Sequence, residues 1–217
     1  MNFKANGQAQ QDRFVLEMLN YKKNGIFLEI GTMDPIKINN TYLLEKDFGW
    51  KGFLFEKDAK WLPQYKKHRP NSIPTIGDAV TVDYKSLLQK NNTSSNIDYL
   101  QIDLEAANGS SLFVLQNLDK NVMDDYTFSV VTFEHDIYTS NRHNIRKLSR
   151  EIFERRGYYR VFDDIHNTEP KYVYEDWYVN PNFVDMDKVK TIQANNKNNY
   201  VPNGITGKSI GWDMIQY

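Results

Sequence analysis

The 217-residue chain contains no cysteine. Disulfide bonds, a thiolate nucleophile and a zinc site built on cysteine are therefore excluded. An excess of charge is also missing, since 27 Lys and Arg residues stand against 28 Asp and Glu residues and the net charge is −1. A nucleic-acid-binding protein usually carries a basic stripe or patch. We therefore expect no nucleic-acid partner.

Long apolar segments are missing as well. No run of the sequence approaches the roughly 20 apolar residues of a membrane-spanning helix, and the N-terminal MNFKANGQAQQDRF has no apolar stretch typical of a signal peptide. We expect no membrane span and a location in the cytoplasm, or in the host cytoplasm if the protein is viral. The length predicts a single domain over residues 1–217, with an N-terminal helix within 1–24 and a C-terminal extension over 183–217.

Apolar runs of strand length alternate along the chain with segments of helical periodicity. The predicted strands are 26–30, 52–56, 72–76, 97–104, 128–133, 158–162 and 172–179. The predicted helices are 8–22, one from Asn39 or Asn40 to Phe48, one through Trp61 and Tyr65, 108–117 and 142–156. This order predicts an α/β, Rossmann-like fold with helices on both faces of a seven-stranded, mostly parallel sheet. The last two strands are joined by too short a segment for a helical crossover, so the last strand is predicted to be antiparallel.

In sheets of this kind, ligands bind beyond the carboxyl ends of the strands. The residue types at those ends therefore indicate what the protein binds. The first five predicted strands end in Glu29, Gly31, Thr32 and Asp34, then Glu56, then Asp78, then Asp103 and Glu105, and then Glu134, His135 and Asp136. Carboxylates at so many strand ends favour a ligand with hydroxyl groups and a positively charged part.

The loop after the first strand, residues 31–35, reads GTMDP. Gly31 allows a close approach of backbone and ligand. A dinucleotide-binding loop would carry GxGxxG to seat a pyrophosphate, but this loop has no further glycine, and Pro35 lacks a backbone donor. Glu56 stands at the end of the second strand, where an acid binds ribose hydroxyls, and Asp78 is placed to accept from an adenine amino group. The pattern predicts an adenosine cofactor without phosphates.

Six segments carry a resemblance to a known family. They read FLEIGTMDP, INNTYLLEKDFGWKGFLFEKD, IDYLQIDLEAANGSSL, VVTFEHDIYTSNRHNIRKL, GYYRVFDDI and EDWYVNP. From about Gln8 to Pro181, the chain resembles the FkbM-type class I methyltransferases, among them glycan-modifying domains of chloroviruses. Many members of the family O-methylate sugars or sugar-bearing products. The resemblance implies a class I methyltransferase fold, S-adenosyl-L-methionine as cofactor, and methyl transfer to a hydroxyl of a sugar or glycan acceptor.

The resemblance also assigns roles to residues at the strand ends. The implied cofactor-binding set is Glu29, Gly31, Thr32, Asp34, Asn40, Glu56, Lys57, Asp78, Ala79 and Asp103. Residues at the end of the first strand are expected to line the methionine part, Glu56 to hold the ribose, and Asp78 with Ala79 to flank the adenine. Asp103 is expected beneath the transferred methyl group. Residues 35–36 depart from the family pattern, which often has a small residue or glycine there, so the exact contacts of the first loop stay open.

Methyl transfer to a hydroxyl requires the removal of one proton, and a positioned base speeds that step. The candidate catalytic residues are Asp103, Glu105, Glu134 and His135. In one mechanism, His135 or Asp103 takes the proton directly. In the other, Asp103 with Glu105 or Glu134 holds Mg²⁺ or Mn²⁺, which lowers the pKa of the bound hydroxyl. The sequence leaves both mechanisms open, and Asp136 is interpreted as structural.

Two other functions are compatible with the pattern. The imperfect first loop allows a binding module that recognises adenosine without turnover. An acid at the end of the second strand also suits the ribose of NAD, so an NAD-dependent oxidoreductase is the third hypothesis, against which the missing GxGxxG speaks. The acceptor, the need for a metal and the oligomeric state do not follow from the sequence.

Overall fold

The computed structural model describes residues 4–139, 143–166 and 172–195. Its centre is one sheet of seven strands: β1 (Ile26–Ile30), β2 (Lys51–Glu56), β3 (Ile73–Ile76), β4 (Asn96–Ile102), β5 (Thr127–Glu134), β6 (Tyr159–His166) and β7 (Val173–Val179). Their order across the sheet is β3-β2-β1-β4-β5-β7-β6. β7 is antiparallel to β5 and β6, whereas the other pairings are parallel. The predicted sheet with its antiparallel last strand is confirmed.

Helices cover both faces of the sheet, as predicted. The described residues form α1 (Gln11–Met18), α2 (Tyr42–Phe48), α3 (Leu62–His68), α4 (Tyr84–Lys90), α5 (Ser110–Asn121), α6 (Ile145–Arg155) and α7 (Met186–Asn195). Short 3-10 turns over Ala59–Trp61, Ala79–Thr81 and Ala106–Asn108 follow β2, β3 and β4. Side chains of α1, α2, α3 and α7 pack on one face of the sheet, and those of α4, α5 and α6 pack on the other.

The central strands are apolar on both sides because helices cover both of their faces. Leu28 and Ile30 of β1 pack into the core under α4, α5 and α6, whereas Phe27 packs into the core under α1. Because side chains alternate between the two faces along a strand, polar residues near the ends of several strands can lie on the same face. On the face under α1 lie polar residues of β1, β4, β5 and β7, at the strand ends nearest the candidate site.

The sequence prediction lacks two helices and gives one helix too great a length. α4 buries only Tyr84 and Leu88, and α7 buries only Val189, so neither has a pronounced apolar periodicity. The helix predicted over 8–22 is shorter, because the chain turns into the left-handed region at Asn20, where φ is 52°. Short helices that bury few side chains are stabilised by tertiary packing rather than by their own sequence.

No helix within the described ranges has the length and the apolar character needed to cross a membrane. The single domain over residues 1–217 stays a prediction, as does the extension over 183–217, in which α7 lies. Residues 196–217 of that extension lie outside the described residues.

Candidate active site

Gly31 lies where the ends of the neighbouring strands β1, β2 and β4 meet. Its φ is +92°, and a Cβ atom on it would lie 1.7 Å from the backbone oxygen of Asp103. The amide of Gly31 donates to the carbonyl of Phe55 at 3.0 Å, and the amide of Asp103 donates to the carbonyl of Ile30 at 2.9 Å. Only glycine fits here. The close approach seen at Gly31 is one to the backbone of Asp103, and the approach of a ligand stays a prediction.

The carboxylate of Glu29 points into the protein, where a buried network holds it. Its Oε2 accepts hydrogen bonds from the Thr41 hydroxyl at 2.8 Å and from the Asn39 amide at 3.4 Å. Arg69, which is also buried, lies 3.9 Å from the same oxygen and donates to Glu45 at 2.7 Å. Burial raises the pKa of Glu29 to about 7, although the Arg69 charge lowers it. Much of the role of Glu29 is therefore to anchor the loop after β1.

Two predicted cofactor residues of that loop also bond to the protein itself. The buried hydroxyl of Thr32 bonds to the carbonyls of Glu29 at 3.4 Å and Phe55 at 3.3 Å. The carboxylate of Asp34 accepts from the amides of Ile36 and Lys37, each at 2.8 Å. These side chains fix the shape of the loop, and their contacts with a cofactor stay a prediction.

Glu56 presents a carboxylate in a fixed orientation at the end of β2. One oxygen accepts from the amide of Met33 and the other from the amide of Asp58, both at 2.8 Å. A carboxylate oxygen has a second lone pair, so Glu56 still offers acceptors to two vicinal hydroxyls. Lys57 is exposed beside it. The geometry fits the predicted ribose contact.

The end of β3 leaves open space next to Glu56. Gly77 bonds through its amide to the Glu56 carbonyl at 2.9 Å, and a Cβ atom on Gly77 would meet nothing within 4 Å. Asp78 is exposed and caps the following 3-10 turn by accepting from the Val80 amide at 3.0 Å. Ala79 is buried. A flat ring therefore has room over Gly77, with Asp78 at its edge.

Asp103 follows β4 at the centre of the edge. Among the described residues, its carboxylate has no hydrogen-bond or ion-pair partner, although desolvation raises its pKa to about 7 and the charges of Asp136 and Glu29 add to that shift. A carboxylate without a partner in such surroundings is costly. A proton acceptor with a pKa near neutrality is suited to general base catalysis.

The other predicted catalytic acids lie around Asp103 in different settings. Glu105 is exposed and caps a 3-10 turn through the Ala107 amide at 3.1 Å. Glu134 ends β5 opposite Glu175 of β7. Asp136 adopts a positive φ of 43°, and desolvation raises its pKa to about 6, with the Glu105 charge adding to the shift and the His135 charge opposing it. Asp136 therefore lies close enough to Asp103 for its charge to act on it, and its structural interpretation stays a prediction.

The imidazole of His135 is fully buried and lies beside one aspartate of β6 and one of β7. Its Nδ1 accepts from the Ile137 amide at 3.4 Å, and its Nε2 lies 3.5 Å from Asp176 and 3.8 Å from Asp164. Burial raises the pKa of Asp176, but the interactions of its carboxylate with Arg150 and His135 outweigh burial and hold that pKa well below its usual value. His135 therefore lies beside the aspartates of β6 and β7, and its role as a base stays a prediction.

The predicted metal ligands do not form a metal site in the described part of the chain. Among the described residues, the possible ligand atoms that lie close enough together to hold a metal ion belong instead to His135, Asp164 and Asp176. Arg150 donates to both aspartates at 2.7 to 2.9 Å, and Arg146 donates to Asp164 at 2.9 Å. Guanidinium groups already supply the positive charge there. The geometry does not support a divalent cation held by Asp103, Glu105 and Glu134.

Sequence reasoning missed several residues that shape this edge. Arg69 lies on a segment without any motif, and only the folded chain brings it to Glu29. Glu175 becomes a neighbour of Glu134 through the antiparallel pairing of β7. Gln101 is a polar residue between two apolar ones in a buried strand. Because residues two positions apart in a strand lie on the same face, the sequence could have placed Gln101 on the same face as Asp103.

Unpaired oxygens at this edge fit the cofactor that the resemblance implies. No hydrogen bond from a described residue affects the carboxylate of Asp103, and the buried Oδ1 of Asn40 accepts no hydrogen bond from the described part of the chain. Hydrogen-bond acceptors without donors suit a ligand with hydroxyl and ammonium groups. Glu56 would hold the ribose, the open side of Gly77 would take the adenine, and Asp103 would face the methyl group.

Comparisons with known proteins identify the fold. No family model matches the chain, and no curated protein matches it. A protein from Clostridium thermocellum assigned as an rRNA methylase superposes with a TM-score of 0.52 at 12% identity, over 82% of this chain and 99% of that one. M. capricolum TrmK, solved with S-adenosylhomocysteine, superposes with a TM-score of 0.50 at 16% identity, over 85% and 77% of the two chains. The chain has the Rossmann-like fold of the class I S-adenosylmethionine-dependent methyltransferases.

Proposed function

We propose that the protein is an S-adenosylmethionine-dependent O-methyltransferase whose acceptor is a hydroxyl of a sugar or glycan. The observation that carries the proposal is Asp103, an acid with a pKa of about 7 and no partner among the described residues, at the centre of the carboxyl edge. Glu56 and the open side of Gly77 supply the ribose and adenine positions beside it. Membership of the FkbM group remains part of this proposal.

When bound, the cofactor supplies a methyl group on a positively charged sulfur, and the sulfur leaves as a neutral thioether when an oxygen attacks the methyl carbon. Asp103 orients the acceptor hydroxyl and takes its proton as the new carbon–oxygen bond forms. Desolvation keeps Asp103 basic, and the negative charges of Asp136 and Glu29 add to that effect. No metal ion is required by this route.

Exposed aromatic rings beside these acids support a sugar acceptor. Tyr138 and Tyr172 are exposed and meet edge to face, with ring centroids 5.6 Å apart. Burial raises the pKa of Tyr138, and the charges of Asp136, Asp103 and Glu105 raise it further, so its hydroxyl lies near the acids. An aromatic face beside carboxylates offers a sugar ring both stacking and hydrogen bonds. The same acids repel the phosphates of a nucleic acid.

The test is methyl transfer from S-adenosylmethionine that carries a labelled methyl group. The acceptor probes are neutral methyl glycosides and oligosaccharides, with an RNA transcript and a phenol as comparison acceptors. We expect the label in an acid-stable methyl ether on a sugar probe. Unlabelled S-adenosylhomocysteine should form in an amount equal to that of the methyl ether. Label in the RNA or the phenol alone would contradict the sugar acceptor. Cofactor binding without transfer to any probe would favour the binding module.

A further inference from the structure

The turn after β5, residues 135–139, carries two side chains that lie close to Asp103. Desolvation raises the pKa of Asp103, and the charge of Asp136 adds to that shift. Burial raises the pKa of Tyr138, and the charges of Asp136 and Asp103 raise it further. The buried Oδ1 of Asp136 accepts no hydrogen bond from the described part of the chain. The backbone of the turn, where Asp136 has a φ of 43°, therefore sets the position of this charge.

Backbone hydrogen bonds attach this turn to β7. The amides of His135 and Asp136 both donate to the carbonyl of Tyr174, at 2.6 and 2.9 Å. The amide of Thr139 donates to the carbonyl of Asp136 at 2.8 Å, which closes the turn on itself. The backbone thus meets β7 at a single carbonyl, so that the orientation of the turn depends on a second attachment.

The imidazole of His135 supplies that second attachment. It is fully buried, and its Nδ1 accepts from the amide of Ile137 within the same turn at 3.4 Å. A ring nitrogen that accepts from an amide carries no proton, so the neutral ring has its proton on Nε2. This Nε2 lies 3.5 Å from Oδ1 of Asp176 and 3.8 Å from Oδ1 of Asp164. The ring therefore presents a donor to the carboxylates of β7 and β6.

Asp176 is itself fixed from several directions. Its carboxylate accepts from Arg150 of α6 at 2.7 and 2.9 Å, from the amide of Asp164 at 2.7 Å and from the Tyr178 hydroxyl at 3.1 Å. It is fully buried, and a two-point bond with a guanidinium group fixes both the place and the plane of a carboxylate. Arg150 is thus connected through Asp176 to the ring of His135. We call Arg150, Asp176 and His135 the turn anchor.

We propose that the turn anchor holds residues 135–139 against the acceptor, and that His135 acts in methyl transfer as a positioning residue and not as the base. The inference rests on the proposed function, in which Asp103 takes the proton. A fully buried ring whose Nδ1 already accepts an amide proton has no free lone pair for the proton of an acceptor hydroxyl. Its contacts instead run from the turn to α6, which is what a support of the site requires.

The test compares His135→Gln with His135→Phe in single-turnover transfer of labelled methyl to the sugar probes. Glutamine offers a donor near the position of Nε2 but cannot act as a base, so its rate should stay within about fivefold of the wild type. Phenylalanine keeps the volume of the ring without its nitrogens, so its rate should fall by about 10- to 100-fold, the effect of a small misplacement. S-adenosylhomocysteine affinity should change by less than about twofold in both variants.

A second variant tests the turn anchor away from the ring. Arg150→Met leaves Asp176 without its guanidinium partner, and its rate should fall like that of His135→Phe. The double variant should lie within about threefold of the slower single variant, because residues that act as a unit are not additive. Asp119→Asn is the matched control, since it breaks an ion pair with Arg155 at the end of the same helix and should keep the wild-type rate.

Amide hydrogen exchange follows the turn without any turnover. In His135→Phe and Arg150→Met, residues 135–139 should exchange at least about tenfold faster than in the wild type, whereas His135→Gln should keep them protected. If His135→Gln loses as much activity as His135→Phe, or if exchange in His135→Phe is unchanged, the inference is wrong. If the wild type methylates no probe, the proposed function fails instead, and the exchange rates alone decide whether the turn anchor holds the turn.

Discussion

Replacing Asp103 with asparagine is expected to lower kcat for methyl transfer by about 10²- to 10⁴-fold, the usual contribution of a general base. The amide keeps the shape of the side chain but cannot take the acceptor proton. S-adenosylhomocysteine affinity should fall much less than kcat, because the base acts on the proton of the acceptor. The measurement is single-turnover transfer of labelled methyl at saturating cofactor.

The pH dependence of the same reaction gives an independent reading. Desolvation raises the pKa of Asp103 to about 7, helped by the charges of Asp136 and Glu29. A base works in its deprotonated form, so wild-type kcat should rise with pH and level off above about 7. Asp103→Asn should lose that rise, whereas the exposed control Asp124→Asn should keep it. Full turnover by Asp103→Asn would exclude Asp103 as the base.

The Arg69→Met variant is expected to be less stable by about 3–5 kcal/mol, the typical cost of leaving buried charges without their partner. Arg69 is fully buried and donates to Glu45 at 2.7 Å, Asn39 at 2.9 Å and Thr41 at 2.5 Å, while Glu29 lies 3.9 Å away. Methionine fills most of the volume but supplies none of these donors. In a chain of this length each kcal/mol lowers Tm by roughly 2–4 °C.

The loss of stability in Arg69→Met should depend on pH. Burial raises the pKa of Glu29 to about 7 in the folded protein, so its charged form opposes folding. The contribution of Glu29 to stability is therefore greatest below its unfolded pKa of 4.5 and falls as pH rises through about 7. Without the Arg69 charge this pKa rises further, so the deficit should be larger at pH 8 than at pH 5. Arg155→Met, an exposed ion pair, should cost less than about 1 kcal/mol.

The sheet was accessible from sequence because buried parallel strands read as apolar runs. β1 and β5 are such runs, and the polar residues that follow them lie at one edge as the topology requires. Periodicity failed for α4 and α7, which bury few side chains and are held by the rest of the fold. A local sequence pattern predicts a strand or a helix only when the element itself contains most of the residues that are buried.

The sequence predicts where the site residues lie along the chain better than it predicts the direction and contacts of their side chains. His135 was correctly placed after β5, but a sequence does not show that its ring turns inward to Asp176. The positive φ of Asp136 interrupts the alternation of side chains between the two faces that continues along β5. The contact of Arg69 with Glu29 spans a large sequence separation and depends on how α3 packs. Side-chain direction at a strand end is set by tertiary contacts, not by spacing.

Calorimetric titration of the wild type and of Glu56→Ala with S-adenosylhomocysteine, and with NAD as the competing ligand, tests the central claim that this edge binds an adenosine cofactor without phosphates. We expect the wild type to bind one S-adenosylhomocysteine with a Kd on the order of micromolar, equivalent to about −8 kcal/mol, and NAD much more weakly. Glu56→Ala should weaken S-adenosylhomocysteine binding by about tenfold or more, because the ribose hydroxyls lose their acceptor. No binding of S-adenosylhomocysteine by the wild type, preferential binding of NAD, or equal binding by Glu56→Ala would contradict the account.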